Sequence, residues 1–125
     1  MCIRDRLDDA EKNVELQKAH LLLHTSIREG WGLNVIEANA MGTPAVVYPV
    51  GGLVDSTVHG QTGLVSEAET PESLAKTVIS LASDPARYDA MRSVAWERSF
   101  EFRWERVLQP TCDWLETMAR GQESG

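Results

Sequence analysis

The chain has 125 residues, 42% hydrophobic and 25% charged, with a formal net charge of −7 at pH 7. This composition is typical of a globular protein, and the length supports one domain or part of one. Twelve basic against nineteen acidic side chains argue against duplex nucleic acid or an anionic membrane as the main partner, since basic surfaces bind both.

The apolar runs and the cysteines exclude further classes of protein. No apolar run reaches the roughly 18 residues that a membrane span requires, so we expect a cytoplasmic protein without a transmembrane segment. Cys2 and Cys112 are too far apart and too few to indicate a zinc site or a disulfide framework.

The first six residues, MCIRDR, join no periodic pattern downstream. Their reverse translation permits the end of a common transposase sequencing adapter, so we interpret residues 1–6 as an adapter scar. The native reading frame is then expected to begin upstream of Leu7. The domain is expected to occupy residues 7–120, and the polar tail at 121–125 is predicted to be disordered.

Apolar periodicity in the first half predicts alternating helices and strands. A short amphipathic helix is expected over 9–19 and a buried strand over 20–25. A helix over 33–41 that stops at Gly42 and a strand over 44–50 follow. Strand, helix and strand within about 30 residues form a βαβ unit with a right-handed crossover. The predicted fold class is therefore α/β, with a Rossmann-like parallel sheet and flanking helices.

The second half is predicted to be mostly helical. One helical turn is expected within 53–59, and a glycine-containing turn at 60–63 leads into a short strand. A helix follows with Thr70 as N-cap and Pro71 at its first position, and another begins at Pro85. The last helix is predicted over 104–118, where Pro110 should kink or split it.

Two glutamates flank the predicted turn between the first strand and the second helix. Gly30 and Gly32 let the backbone approach a ligand, and the amides of the first helical turn lack intrahelical acceptors, which suits an anion such as a pyrophosphate. Glu29 and Glu37 can both face the crevice at the carboxyl end of the strand. Ligands bind at that edge of open α/β sheets.

This segment, EGWGLNVIEA from Glu29 to Ala38, resembles the E-x7-E motif of the family 4 retaining glycosyltransferases, which have the GT-B fold. The passage ANAMGTPAV at 38–46 is similar to the family's helix-to-strand passage. Gly51-Gly52, Asp55 and GQTGLV at 60–65 are similar to the segment after it. The resemblance covers residues 18–115 and implies part of the C-terminal, donor-binding domain.

The resemblance also implies roles for individual residues. Glu37 would accept hydrogen bonds from the ribose hydroxyls of the nucleotide. Glu29 would lie near the donor sugar and its leaving phosphate, with positioning or electrostatic help as its role. The remaining donor-binding candidates are Gly30, Trp31, Gly32, Leu33 and Asn34, and a second tier comprises Ser26, Arg28, Gly51 and Gly52.

The implied activity is transfer of a sugar from a nucleotide-sugar donor to an unknown acceptor with retention, without a cofactor or obligatory metal. The family's N-terminal acceptor domain and its basic Arg/Lys pair are absent from this sequence, and Lys12 and Lys18 do not stand in the matching context. We therefore expect an inactive fragment of a longer enzyme. That enzyme could associate with a membrane through the missing domain.

Other interpretations stay open. The chain could be a non-catalytic nucleotide-sugar-binding module, or a relative of the GT-B-fold epimerases and phosphorylases. For Trp31, packing is a better explanation than stacking on a ligand. For Gly51 and Gly52, a turn and a ligand contact are equally plausible. His20 and His24 are expected to be structural, and His59 is expected to be solvated. The residues expected at the core or at a domain interface are Trp96, Trp104 and Trp114, and Cys112 is expected to pack as an inert side chain.

Overall fold

Three parallel strands form the sheet of this protein, whose computed structural model describes residues 8–123, with side chains over 8–121. In chain order the elements are α1 (Asp9–Lys18), β1 (Leu22–His24), α2 (Leu33–Ala40), β2 (Ala45–Val47), α3 (Gly51–Ser56), β3 (Gly63–Val65), α4 (Pro71–Ala82), α5 (Pro85–Ser99), a 3-10 helix (Phe100–Phe102) and α6 (Trp104–Glu123). The predicted α/β class with a parallel sheet is confirmed.

The sheet order is β1-β2-β3, with β2 in the centre. Its register pairs Leu23 with Val46 and Val46 with Leu64. All of β2 is buried, as expected for a central parallel strand with helices over it. The helices α2 and α4 both contact β2, and α5 contacts both of these helices. This arrangement places β1, which precedes the predicted site, at one side of the sheet.

The hydrophobic core lies between the sheet and these helices. Its largest fully buried side chains are Leu53, Leu81, Met91, Val35, Val46 and Val47. They come from α2, β2, α3, α4 and α5, so each of these elements contributes apolar surface to one core. Burial of that surface is the main stabilising contribution to the domain.

Capping explains several helix boundaries. Asp8 accepts a hydrogen bond from the Glu11 N–H at the start of α1, over 2.8 Å. The Thr70 hydroxyl accepts from the Ser73 N–H at the start of α4, which confirms Thr70 as the N-cap. Gly42 has a φ of +78°, as expected for a glycine just after a helix, so its predicted role as the stop of α2 is confirmed.

The last helix differs from the prediction. It runs unbroken through Pro110, so of the two predicted effects of this proline, a kink or a split, the split is wrong and the kink stays a prediction. The helix is exposed around Pro110, and water can bond the carbonyl that the proline leaves unpaired. The helix also continues to Glu123, three residues into the predicted tail. The last two tail residues and the predicted scar at 1–6 lie outside the described residues.

Candidate functional site

The loop between β1 and α2 ends in a residue whose backbone adopts the left-handed conformation. Gly32 is the N-cap of α2 and has φ +56° and ψ +53°. A Cβ there would lie 2.6 Å from the Ser56 Oγ and 2.9 Å from the Leu53 Cδ2. Only glycine fits both this backbone conformation and this contact with α3. Gly32 therefore sets where α2 begins relative to α3.

The loop also contacts the first turn of α3. The Gly52 N–H donates to the Glu29 carbonyl oxygen over 3.2 Å. A Cβ at position 52 would lie 2.4 Å from that oxygen and 2.7 Å from the Trp31 nitrogen, whereas Gly51 and Gly30 face open space. Gly52 thus allows the backbone of α3 to contact the backbone of the loop at 29–31. The prediction of a turn after β2 did not include this contact.

The N-terminus of α2 lies at the end of this loop. No side chain caps the helix, and its first turn holds no acidic residue. Leu33 and Asn34 are exposed there, while Val35 and Ile36 are buried. The positive end of the helix dipole is therefore available to an anion beside Gly30 and Gly32.

Glu37 lies one turn into α2 and pairs with a lysine from α1. The Lys12 Nζ is 2.9 Å from the Glu37 Oε2, and the two side chains are 38% and 27% exposed. The Oε2 atom itself has almost no contact with solvent. The hydrogen bond to Glu37 raises the pKa of Lys12, with a smaller contribution from Asp9 at 3.6 Å. Lys12 was not predicted as a site residue, because no local pattern links it to Glu37.

Glu29 lies next to the last residue of β1. The His24 Nε2 is 3.7 Å from the Glu29 Oε2, and the histidine side chain is only 11% exposed. The two groups form an ion pair when the imidazole is protonated. A structural role was expected for His24. The structure adds that its ring lies against the carboxylate predicted to be catalytic, a contact that the strand pattern did not indicate.

Trp31 packs on the 3-10 helix. Its ring centroid is 5.9 Å from that of Phe102, at an interplanar angle of 55°. The Arg98 guanidinium carbon lies 5.0 Å from the centroid of the Phe102 ring. The same guanidinium donates a hydrogen bond to the Ser56 carbonyl oxygen over 2.8 Å. These contacts support packing as the role of the Trp31 ring. Arg98 and Phe102 were missed because they follow Trp31 by many residues.

The other candidates have varied surroundings. Ser26 is half-buried and Arg28 is exposed, both in the loop after β1. His20 is exposed, and its carbonyl oxygen accepts from the Tyr88 hydroxyl over 2.6 Å. His59 is exposed too, and its Nδ1 accepts from the Val65 N–H, so it is a turn contact rather than a purely solvated side chain.

Four residues expected to pack lie on the surface instead. Trp96, Trp104, Trp114 and Cys112 are all exposed. The core position expected for the three tryptophans is therefore wrong, whereas a domain interface, the other position expected for them, stays a prediction. The packed position expected for Cys112 is wrong as well. Within residues 8–123, no group of three potential ligands could hold a metal ion, and no helix is long and apolar enough to span a membrane.

Known proteins share this architecture. Sucrose-phosphate synthase from Thermosynechococcus elongatus superposes with a TM-score of 0.75 and 30% identity, covering 86% of this chain and 27% of its own. Anabaena Alr3699/HepE in complex with UDP-glucose superposes with a TM-score of 0.71 and 24% identity, covering 82% and 29%. The fold is accordingly that of part of a GT-B glycosyltransferase.

Sequence comparison gives the family. The model of the family described as "Glycosyl transferases group 1" matches residues 5–98. The chain belongs to this family. A D-inositol 3-phosphate glycosyltransferase from Catenulispora acidiphila is 36% identical over 90 residues, which are 72% of this chain and 22% of that relative. The chain thus spans about a fifth of the length of this relative.

Proposed function

We propose that the chain is part of the C-terminal, donor-binding domain of a family 4 glycosyltransferase that transfers a sugar from a nucleotide-sugar donor with retention. The observation that carries this proposal is the position of Glu29 and Glu37 on either side of the uncapped N-terminus of α2. Residues 7–120 would be the domain portion. The parent would be a cytoplasmic transferase whose acceptor domain lies outside this chain.

The geometry supports separate binding sites for the diphosphate and the ribose of the donor. The diphosphate would bind at the N-terminus of α2, where the amides near Gly30, Gly32, Leu33 and Asn34 meet the positive end of the dipole. Glu37 would accept the ribose hydroxyls, since an ionised carboxylate is a strong acceptor. Ser26, Arg28 and Gly51 would line the approach, being half-buried or exposed around the loop.

The reaction would break the bond between the anomeric carbon and the phosphate oxygen and form a bond from that carbon to the acceptor oxygen. The acceptor proton would pass to the departing diphosphate. The dipole of α2 would stabilise the negative charge that develops there. Glu29, beside His24, would position the sugar or stabilise positive charge near the anomeric carbon. The solved complex of Alr3699/HepE with UDP-glucose supports a nucleotide-sugar as the donor.

Calorimetric titration of the chain with UDP, GDP and ADP tests the donor site. We expect one of them to bind, and Glu37→Ala to weaken binding at least tenfold, since a hydrogen bond to a charged group contributes about 1.5–3 kcal/mol. Glu105→Ala, an exposed glutamate at the start of α6, is the matched control and should leave affinity unchanged. No binding by the wild-type chain, or equal losses in both variants, would contradict the donor site.

Recovery of the upstream reading frame tests the enzyme assignment. A frame that continues into a second Rossmann-like domain supports a glycosyltransferase. A stop codon directly before Leu7 supports a stand-alone binding module instead. In the recovered enzyme, Glu29→Gln should lower turnover more than donor affinity, and unchanged turnover would remove Glu29 from the reaction.

A further inference from the structure

The contact between Lys12 and Glu37 brings a second helix to the proposed ribose site. Lys12 belongs to α1, and its Nζ lies 2.9 Å from the Glu37 Oε2. That oxygen has almost no solvent contact and accepts no well-aligned hydrogen bond from the described residues, so the ammonium compensates its charge as an ion-pair partner. Within the described part of the chain, no other cation is within ion-pair distance of Glu37.

The helix that carries Lys12 is fixed in place independently of this ion pair. The Thr43 hydroxyl, just after α2, donates to the Leu16 carbonyl oxygen and also lies 3.3 Å from the Ala19 carbonyl oxygen. Thr43 is buried, and it joins the end of α1 to the end of α2. Lys12 therefore reaches Glu37 from an anchored helix, which makes the carboxylate orientation reproducible.

We propose that Lys12 is a positioning residue that holds the Glu37 Oε2 and thereby directs the other carboxylate oxygen toward the ribose hydroxyls of the bound nucleotide. This inference rests on the function proposed above. A carboxylate has two oxygens and several acceptor positions, so one can bond the ammonium while the other accepts from a ligand. A vicinal diol needs that acceptor in a fixed orientation, because each misaligned hydrogen bond loses strength steeply.

The Lys12 ammonium is held by two carboxylates of this chain, Glu37 at 2.9 Å and Asp9 at 3.6 Å. Lys12 thus acts through Glu37, and its removal should matter only while Glu37 is present.

A double-mutant cycle on the full chain tests this dependence, with UDP as the probe or whichever nucleoside diphosphate the wild type binds. Lys12→Met keeps the length of the side chain but removes the ammonium, and it should weaken binding about fivefold, the upper range for a partly exposed ion pair. In the Glu37→Gln background the same change should alter affinity less than about twofold. Lys12→Arg should recover most of the affinity.

Lys18→Met is the matched control, because Lys18 lies on the same helix in an exposed position and should leave affinity unchanged. A measurement without ligand keeps the inference testable if Lys12→Met folds poorly. The pKa of the Lys12 ammonium, followed by NMR, should fall toward 10.5 in Glu37→Gln and stay the same in Glu105→Gln.

The outcomes separate this inference from the proposed function. If Glu37→Gln weakens UDP binding but Lys12→Met does not, or tightens it, the positioning role is overturned while the donor site stands. If the two losses multiply, Lys12 contacts the ligand directly and the inference is wrong. If the wild type binds no nucleoside diphosphate, the proposed function fails, and the positioning role falls with it.

Discussion

The Gly52 N–H donates to the Glu29 carbonyl oxygen over 3.2 Å, which joins the first turn of α3 to the loop that carries one of the two site glutamates. The backbones are so close that a Cβ on Gly52 would lie 2.4 Å from the same oxygen. The position of Glu29 therefore depends on a residue after β2 as well as on its own loop. Changes at α3 should reach the site through this contact.

Gly52→Ala should displace the 29–31 loop. The added methyl would meet backbone atoms of Glu29, Gly30 and Trp31, which cannot move aside as a flexible side chain can. Such overpacking costs about 1–3 kcal/mol of unfolding free energy. Urea denaturation measures that loss, and UDP titration should show weaker binding in the folded variant.

Gly51→Ala is the control for this prediction. A Cβ at Gly51 has nothing within 4 Å, and the residue is exposed at the start of the same helix. The variant should be neutral or up to about 1 kcal/mol more stable, because alanine favours the helix. Equal destabilisation in both variants would show that the contact with Glu29 is not the cause.

The two faces of α4 should respond very differently to truncation. Leu81 is fully buried in the core, so Leu81→Ala should cost about 2–5 kcal/mol through lost burial and the cavity left behind. Ile79, on the same helix, is 63% exposed, and Ile79→Ala should stay within about 0.5 kcal/mol. Chemical denaturation of both variants checks the difference. Comparable losses would mean that another part of the protein covers Ile79.

The Tyr88 hydroxyl should make stability depend on alkaline pH. It donates to the His20 carbonyl oxygen over 2.6 Å, and burial raises the pKa of Tyr88 above its usual 10.0. The folded state therefore favours the neutral phenol, so its contribution is complete below pH 10.0 and is lost as pH rises through the folded-state pKa.

Tyr88→Phe tests this pH dependence. Below pH 10.0 the variant should be about 1 kcal/mol less stable than wild type, the usual contribution of one hydrogen bond. Above that pH the difference should shrink, because only wild type loses the contribution. Unfolding free energies of both proteins on each side of pH 10.0 measure it. A difference that stays constant with pH would contradict the role of the phenol proton.

The features that could be predicted from the sequence are those that depend on residues next to one another in the chain. The cap at Thr70 and the stop at Gly42 are short patterns with one structural solution each, and both were found. Contacts between elements had no such signal: Lys12 meets Glu37 across two helices, which Thr43 also joins, and these residues lie far apart in the chain. Apolar periodicity predicted α6 but could not show that Trp104 is exposed to solvent. Spacing indicates which residues share one face of a helix, but it does not indicate which element packs against that face.

The ring of Trp31 should stabilise the loop more than it binds the donor. Trp31→Ala removes the contact with Phe102, and it should cost about 1–2 kcal/mol of unfolding free energy, given 0.5–1.5 kcal/mol for an aromatic pair beyond its area burial. In a cycle with Phe102→Leu, the two losses should be less than additive. UDP affinity should change less than about threefold, since backbone amides and Glu37 carry the proposed donor contacts.

Trp104→Ala is the control for Trp31→Ala, because Trp104 is 76% exposed on α6, and it should leave both the unfolding free energy and the UDP affinity unchanged. A tenfold loss of affinity at unchanged stability would show instead that the Trp31 ring stacks on the ligand.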